Sequence, residues 1–194
     1  FDGGYFHNGE IVPAKGFCTD VFFEQGNAFI KKCAEEKKPF FAYISTNAPH
    51  GPLHAPQKYL DMYSDQKINL AAFFGMITNI DDNVGATRPL RKALGIYENP
   101  IFIFTTANGT AGGSSVFNAG MKGKKGSEYD GGHRVPLFLH WPAGGMNQKK
   151  VVDRLVHAVD VVPTLLDLCG ASQPADLKFD GTSIKPLLAG DGTD

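Results

Sequence analysis

Two groups of side chains in this chain have the types and spacing for chemistry on an anion. The first is His50 and His54, in the run Ala48-Pro49-His50-Gly51-Pro52-Leu53-His54-Ala55-Pro56. The prolines fix φ, forbid a regular helix and stiffen the loop around the imidazoles. Imidazoles held in this way can donate to an anion or carry a proton to a leaving group. The same pattern also suits two surface histidines in a proline-rich turn. The second group is Lys122, Lys124 and Lys125, set among Gly123, Gly126, Gly131 and Gly132. Glycine lets backbone approach a ligand closely, and an ammonium group is a compact cation for an oxyanion. Composition alone allows a solvated basic loop there equally well.

Both groups follow short apolar runs. Pro39 to Ser45 precedes the histidines, and Ile101-Phe102-Ile103-Phe104 precedes the long Gly/Ser/Lys loop that ends near Pro136. Short apolar runs bounded by turn signals read as buried strands. Open α/β sheets place ligands at the carboxyl ends of such strands, which would bring the two loops to one edge. A third run, Leu137 to Trp141, reads the same way.

Between them lie helical patterns. Thr19-Asp20 offers caps for a helix whose apolar stripe is Val21, Phe22, Phe29, Ile30 and Cys33. Leu70 to Leu94 is a longer helix with Leu70, Phe73, Phe74, Ile77, Ile80, Asp81 and Val84 near one face, and Pro89 should kink or break it. Asp81 and Asp82 are adjacent, so on a helix they point about 100° apart and do not converge on one ion. Asp160 can cap a helix carrying Val162, Leu165, Leu166 and Leu168, with Gly170 as its stop. Residues 1 to 19 read as irregular. Strands alternating with helices indicate an α/β fold with a mainly parallel sheet.

At 194 residues and 42% hydrophobic composition, the chain suits one domain with a sizeable core. A net charge of -1 gives no global field for nucleic acid or an anionic membrane. No apolar run is long enough to span a bilayer, and nothing at the start resembles a signal peptide. Cys18, Cys33 and Cys169 form no zinc or redox spacing; Cys33 and Cys169 read as small buried residues.

The order Thr106-Ala107-Asn108-Gly109, variable loop, then Lys125-Gly126-Ser127-Glu128-Tyr129-Asp130-Gly131-Gly132-His133-Arg134-Val135-Pro136 resembles the sulfatase family of the alkaline-phosphatase-like superfamily. Ala48-Pro49-His50-Gly51-Pro52 and Asp160-Val161-Val162-Pro163-Thr164-Leu165 extend the likeness over almost the whole chain. Phe179 to Leu188 adds a D-G-x-S-x-x-P-L-L segment that is expected to pack without doing chemistry. The resemblance implies an alkaline-phosphatase-like sandwich and hydrolysis of organic sulfate esters. It assigns His50 and Lys125 to sulfate contact, with His50 able to protonate the leaving oxygen. It sets His54 at the substrate border, Asp130 and Arg134 as braces of the loop, and Asn108 as a calcium ligand.

Two departures qualify what the likeness implies. The chain contains no C/S-x-P-x-R, the motif from which the family makes its formylglycine nucleophile. Thr87-Arg88-Pro89-Leu90-Arg91 imitates it in the wrong place. Ala107 stands where the family has an aspartate, and a methyl group cannot ligate a cation that wants oxygen donors. The expectation is a partial catalytic domain over residues 1–194, incomplete at both ends, lacking the nucleophile segment and the smaller C-terminal domain, and inactive by itself. The parent would be an exported, bacterial-type hydrolase acting on a small-molecule or glycan sulfate ester. A phosphate or phosphonate ester hydrolase of the same superfamily, and a catalytically silent binding module, are the alternatives.

Overall fold

The computed structural model describes residues 1–190. It divides into two compact units, residues 1–141 and the remainder from Pro142 onward.

The first unit opens with a hairpin, β1 (Gly3–His7) and β2 (Glu10–Ala14), paired antiparallel from Gly3 opposite Ala14 to His7 opposite Glu10. This corrects the irregular reading of residues 1 to 19. The turn is Asn8-Gly9, with φ of 53° and 90°. Two left-handed residues match the twist of the flanking strands, and Asn-Gly is the pair that adopts them most readily.

Helix α1 (Cys18–Glu35) follows, with Thr19, Val21, Phe23, Ile30 and Cys33 on its buried side. Phe29, expected in the stripe, is 45% exposed and meets Phe40 edge-on, with 6.5 Å between the ring centroids. Residues 39 to 46 run extended without ladder bonds among the described residues. Their exposure alternates. Phe40, Ala42 and Ile44 turn inward, with Ile44 against Gly26, while Phe41 and Tyr43 are exposed. The buried strand expected at Pro39–Ser45 is therefore extended backbone lying on α1. An apolar run specifies extended, half-covered backbone, but not the neighbour with which it pairs.

Helix α2 (Gln57–Asp61) packs on α3 (Ile68–Ala93), the longest element. The buried face of α3 coincides only in part with the expected stripe: Phe73 is buried and Ile80 packs on the core, but the rest of that face is different. Ala71, Ala72, Phe73, Gly75, Met76, Asn79, Thr87 and Arg91 are inside, whereas Ile77 is 41% exposed. Small residues let other backbone come close: a β-carbon at Gly75 would sit 3.0 Å from that of Ala55. The amide nitrogen of the most deeply buried polar residue on that face has a partner on α1. Asn79, wholly buried, donates to Asp20 Oδ1 at 2.6 Å, and Asn83 donates to the same oxygen at 2.7 Å. Burial of amides is tolerable when they are hydrogen-bonded, and here it ties α3 to α1. Asp82 accepts from the Tyr59 hydroxyl at 2.8 Å, a structural role.

Nor does Pro89 break α3. It is exposed, and the carbonyl it would crowd belongs to Gly85, which has open space around its α-carbon. Thr87, in the T-x-P-x-R imitation, is buried within this helix and donates to the Val84 carbonyl at 2.7 Å. A hydroxyl in that position is part of the helix.

Strands β3 (Phe102–Thr105) and β4 (Leu137–His140) pair antiparallel, with Phe102 opposite His140 and Thr105 opposite Leu137. Both ladders among the described residues are thus antiparallel pairs. The expected parallel neighbour of β3 is not among them; the chain leaving β3 returns alongside it as β4. One core cluster joins Phe17, Ala48, Ala55, Tyr59 and Met76, with Leu53, Leu60 and Ile80 packed against it.

The second unit holds α5 (Val161–Cys169) and α6 (Lys185–Ala189). Asp160 precedes α5, but its carboxylate serves two other backbone groups. It accepts from the His157 N–H at 2.8 Å and from the Thr182 N–H at 2.9 Å. Gly170 ends α5 at φ 64°. Cys33 is buried as expected. Cys169 is exposed, because it closes α5 on the side away from Thr164, the residue of that helix that is buried.

Candidate active site

His50 and His54 line one open cavity of about 350 Å³, together with Phe17, Cys18, Asn47 and Met76. The loop carrying them is anchored on both sides. Ala48 and Ala55 are buried in the core cluster, and the His50 N–H donates to the Asn47 carbonyl at 2.9 Å. His50 itself is exposed, and its Nδ1 lies 2.8 Å from the Gly51 carbonyl. A carbonyl only accepts, so Nδ1 carries a proton in this contact and Nε2 is left for chemistry.

The lysine loop is built on close backbone approaches. The Lys125 N–H donates to the Thr110 carbonyl at 3.0 Å, and the Gly109 N–H to the Gly132 carbonyl at 2.9 Å. These two bonds lash the turn containing Asn108 to the segment containing Lys125. A β-carbon on Gly109 would collide with the Gly131 carbonyl, and one on Gly132 with the Ser127 carbonyl. Glycine is needed at both places for contact and not merely for flexibility. Asn118 was not anticipated. Its amide donates to the Met121 carbonyl at 2.8 Å and the Gly123 carbonyl at 2.7 Å, holding the glycine loop closed. A lone asparagine amid glycines was the available signal.

Lys122, Lys124 and Lys125 are all exposed, and Lys122 Nζ lies 3.9 Å from the centre of the Tyr129 ring. Asp130 and Arg134 flank α4 (Asp130–His133) and meet at 3.9 Å. Their side chains are more than half exposed, so the bond that holds this turn is the Arg134 N–H to the Asp130 carbonyl, at 2.8 Å. His133 is exposed.

The structure thus pairs His50 with His54 in one cavity, and ties the segment carrying Lys125 to the turn carrying Asn108 through backbone bonds of Thr110 and Gly109. Among the described residues no hydrogen bond joins one pair to the other. What they share is α3. Phe73 fills the space against Gly112 and Gly113, while Gly75, two residues on, lies against Ala55 and Tyr59, and Met76 shares the core cluster with Ala48 of the histidine side.

Residues 2–171 match the family model described as Sulfatase. The chain belongs to the sulfatase family. It is 33% identical over 186 residues to the uncharacterized sulfatase YdeN of Escherichia coli strain K12, covering 94% of this chain and 33% of that protein. It is 36% identical over 151 residues to mouse arylsulfatase J, covering 76% of this chain and 25% of that protein. The crystal structure of Ps i-CgsB in complex with k-i-k-neocarrahexaose superposes with a TM-score of 0.89 at 31% identity, over 96% of this chain and 41% of that one. This sulfatase chain therefore spans a quarter to a third of the length of these two curated relatives. Its fold is the α/β, alkaline-phosphatase-like fold of its structural neighbours. To it the chain contributes the two antiparallel pairs and the extended segment described above.

The donor set of this sulfatase chain does not fit calcium at Asn108. Among the described residues no group of three or more His, Cys, Asp or Glu side chains is placed to hold a metal ion. Ala107 offers no oxygen from its side chain, and the Asn108 backbone carbonyl faces the Thr106 hydroxyl at 3.4 Å. A hard divalent cation takes six to eight oxygens, of which this turn's side chains supply one neutral amide.

Proposed function

We propose that the polypeptide to which this chain belongs hydrolyses organic sulfate esters, and that both units form part of one catalytic domain. In this reading His50 and Lys125 act on the substrate, and His54 borders it. The supporting observation is the common seat of the two loops on neighbouring residues of α3, Phe73 for the loop after β3 and Gly75 and Met76 for the histidine loop. One rigid helix can hold an imidazole and an ammonium group in fixed relation, as a two-point grip on an anion requires.

Hydrolysis of a sulfate ester forms a bond from a nucleophile to sulfur and breaks the bond from sulfur to the ester oxygen, which must gain a proton. The Lys125 ammonium pairs with the non-bridging sulfate oxygens and offsets their charge. His50, its Nδ1–H held by the Gly51 carbonyl, presents Nε2 as the atom that gives the proton to the departing oxygen. The stiff proline-rich loop keeps that ring from turning away.

No residue of the chain matches the family's nucleophile motif, so we assign these 194 residues the substrate-side half of the site and expect no turnover from them alone. The substrate class we favour is a sulfated saccharide, since Ps i-CgsB, 31% identical, was crystallised with an oligosaccharide. We place the parent outside the cytoplasm, on the likeness to the sulfatase family alone.

The test is hydrolysis of matched aryl sulfate and aryl phosphate esters by the full-length protein. Sulfate turnover lost in His50→Ala supports the reading. Preference for the phosphate ester replaces it with a phosphate or phosphonate hydrolase of the same superfamily.

A further inference from the structure

The last turn of α3 gathers more positive charge than its surroundings balance. Arg91 is 8% exposed, and its Nη1 is buried without a hydrogen-bond partner. Its Nε reaches the Thr87 carbonyl at 3.4 Å, the long limit of such a bond. The guanidinium lies 4.8 Å from the centre of the Phe102 ring and 5.3 Å from that of Tyr97. Arg88 and Lys92, both exposed, lie at 5.6 Å and 5.2 Å from the same Tyr97 ring. The Tyr97 hydroxyl is 3.5 Å from His140 Nε2. Among the described residues no carboxylate forms an ion pair with Arg88, Arg91 or Lys92.

The carboxyl end of α3 does attract cations, but a helix terminus carries roughly half an elementary charge. Three cations on one ring exceed that. Burial pushes the Arg91 guanidinium below its ordinary range, and Arg88 beside it pushes the same way, opposed by Tyr97. A buried guanidinium stays in place at least cost when an anion shares its N–H groups. The cation–π contacts with Tyr97 and Phe102 attract the guanidinium but satisfy no N–H donor.

We propose that Arg91, with Arg88 and Lys92 on the rim of the Tyr97 ring, forms an oxyanion site separate from the His50 and Lys125 loops. Its ligand is a sulfate group, either free or carried on a saccharide. The saccharide source rests on the function proposed above; the anion site itself does not. Arg91 supplies the planar fork, the two exposed cations close over the ligand, and Tyr97 OH is a further donor. The Thr87-to-Arg91 stretch that imitates a nucleophile motif would then matter for its arginines and not for its threonine.

The experiment uses the full-length protein at constant ionic strength set with chloride. Binding of inorganic sulfate is followed by calorimetry and by the rise in melting temperature. Arg91→Met is at risk of misfolding, so the decisive variant is Arg88→Gln/Lys92→Gln, whose changes lie on the surface. We expect it to melt like the wild type without sulfate and to bind sulfate about tenfold more weakly, through loss of charge-assisted contacts. His50→Ala should keep the binding. A polysulfated oligosaccharide and its unsulfated counterpart then identify the source. Tighter binding of the sulfated form than of free sulfate assigns the site to substrate, and equal binding assigns it to free sulfate. Equal sulfate affinity in wild type and Arg88→Gln/Lys92→Gln, or loss of all binding in His50→Ala, overturns the proposal.

Discussion

Asn79 donates its side-chain amide to Asp20 Oδ1 at 2.6 Å, although 59 residues separate them in sequence. Asn79 is wholly enclosed, so this bond fixes α3 against α1 and thereby the platform on which both candidate loops sit. Asn79→Asp would set a buried carboxylate against the carboxylate of Asp20. We expect destabilisation of about 3 kcal/mol or more, partly relieved in acid as one of the pair takes a proton. Asn83→Asp, at a half-buried position donating to the same oxygen, should cost less. Denaturant melts of both variants at two pH values check the order.

Gly132 and Gly109 are where the lysine loop touches the turn after β3. Gly132→Ala forces its new methyl onto the Ser127 carbonyl. The expected loss is about 1–3 kcal/mol, as for other overpacked sites, with a fall in turnover of the full-length enzyme as Lys125 shifts. Gly145→Ala is the comparison. It lies in the second unit with open space around it, so any cost should come from its positive φ and leave turnover unchanged.

The second unit should lose stability in acid. Asp160 is held below its ordinary value of 3.8, first by the His157 N–H and then by the Thr182 N–H. Asp167 is held below the same value, first by Lys185 and then by the Ser183 hydroxyl. A carboxylate with a depressed folded pKa contributes stability that is complete above its unfolded value and is lost as pH falls through its folded value. The loss therefore begins near pH 3.8 and continues below it. Asp167 is exposed and Asp160 only half-buried, so the effect is correspondingly modest. Acid titration followed by circular dichroism should show a shallower slope in Asp160→Asn than in the wild type.

Ala107 leads to a calcium prediction. In the full-length protein, Ala107→Asp should strengthen calcium binding, because a carboxylate beside Asn108 adds a charged oxygen ligand. Asn69→Asp, at the exposed start of α3, should not. Calorimetry on the two variants decides it; equal affinities would mean that residue 107 is not a ligand position.

Much of this was legible in the sequence, and the failures have physical causes. The glycine spacing announced the lysine loop because close backbone approach leaves few alternatives to glycine. His50 and His54 share a cavity because the prolines confine their loop. The helix of residues 68–93 was visible from its pattern, but its inward face only in part. Apolar spacing points to Ile77 and Val84, whereas the buried face carries Gly75 and Asn79, whose partners Ala55 and Asp20 lie far away in sequence. The hairpin at residues 3–14 was missed with its Asn8-Gly9 signal in plain view. Its exposed Phe6 and Ile11 give no clean alternation of buried and exposed residues. The run at Pro39–Ser45 announced extended backbone but not the pairing that a ladder requires.

The account turns on His50 acting with Lys125 in cleavage of a sulfate ester. The most direct measurement is the steady-state hydrolysis of an aryl sulfate by the full-length wild type, His50→Ala, Lys125→Ala and the double variant. We predict a fall of about a hundredfold or more in kcat/KM for each single variant, and a double variant less impaired than the product of the two. Full activity in His50→Ala, or effects of the two changes that multiply as for unrelated positions, would contradict it.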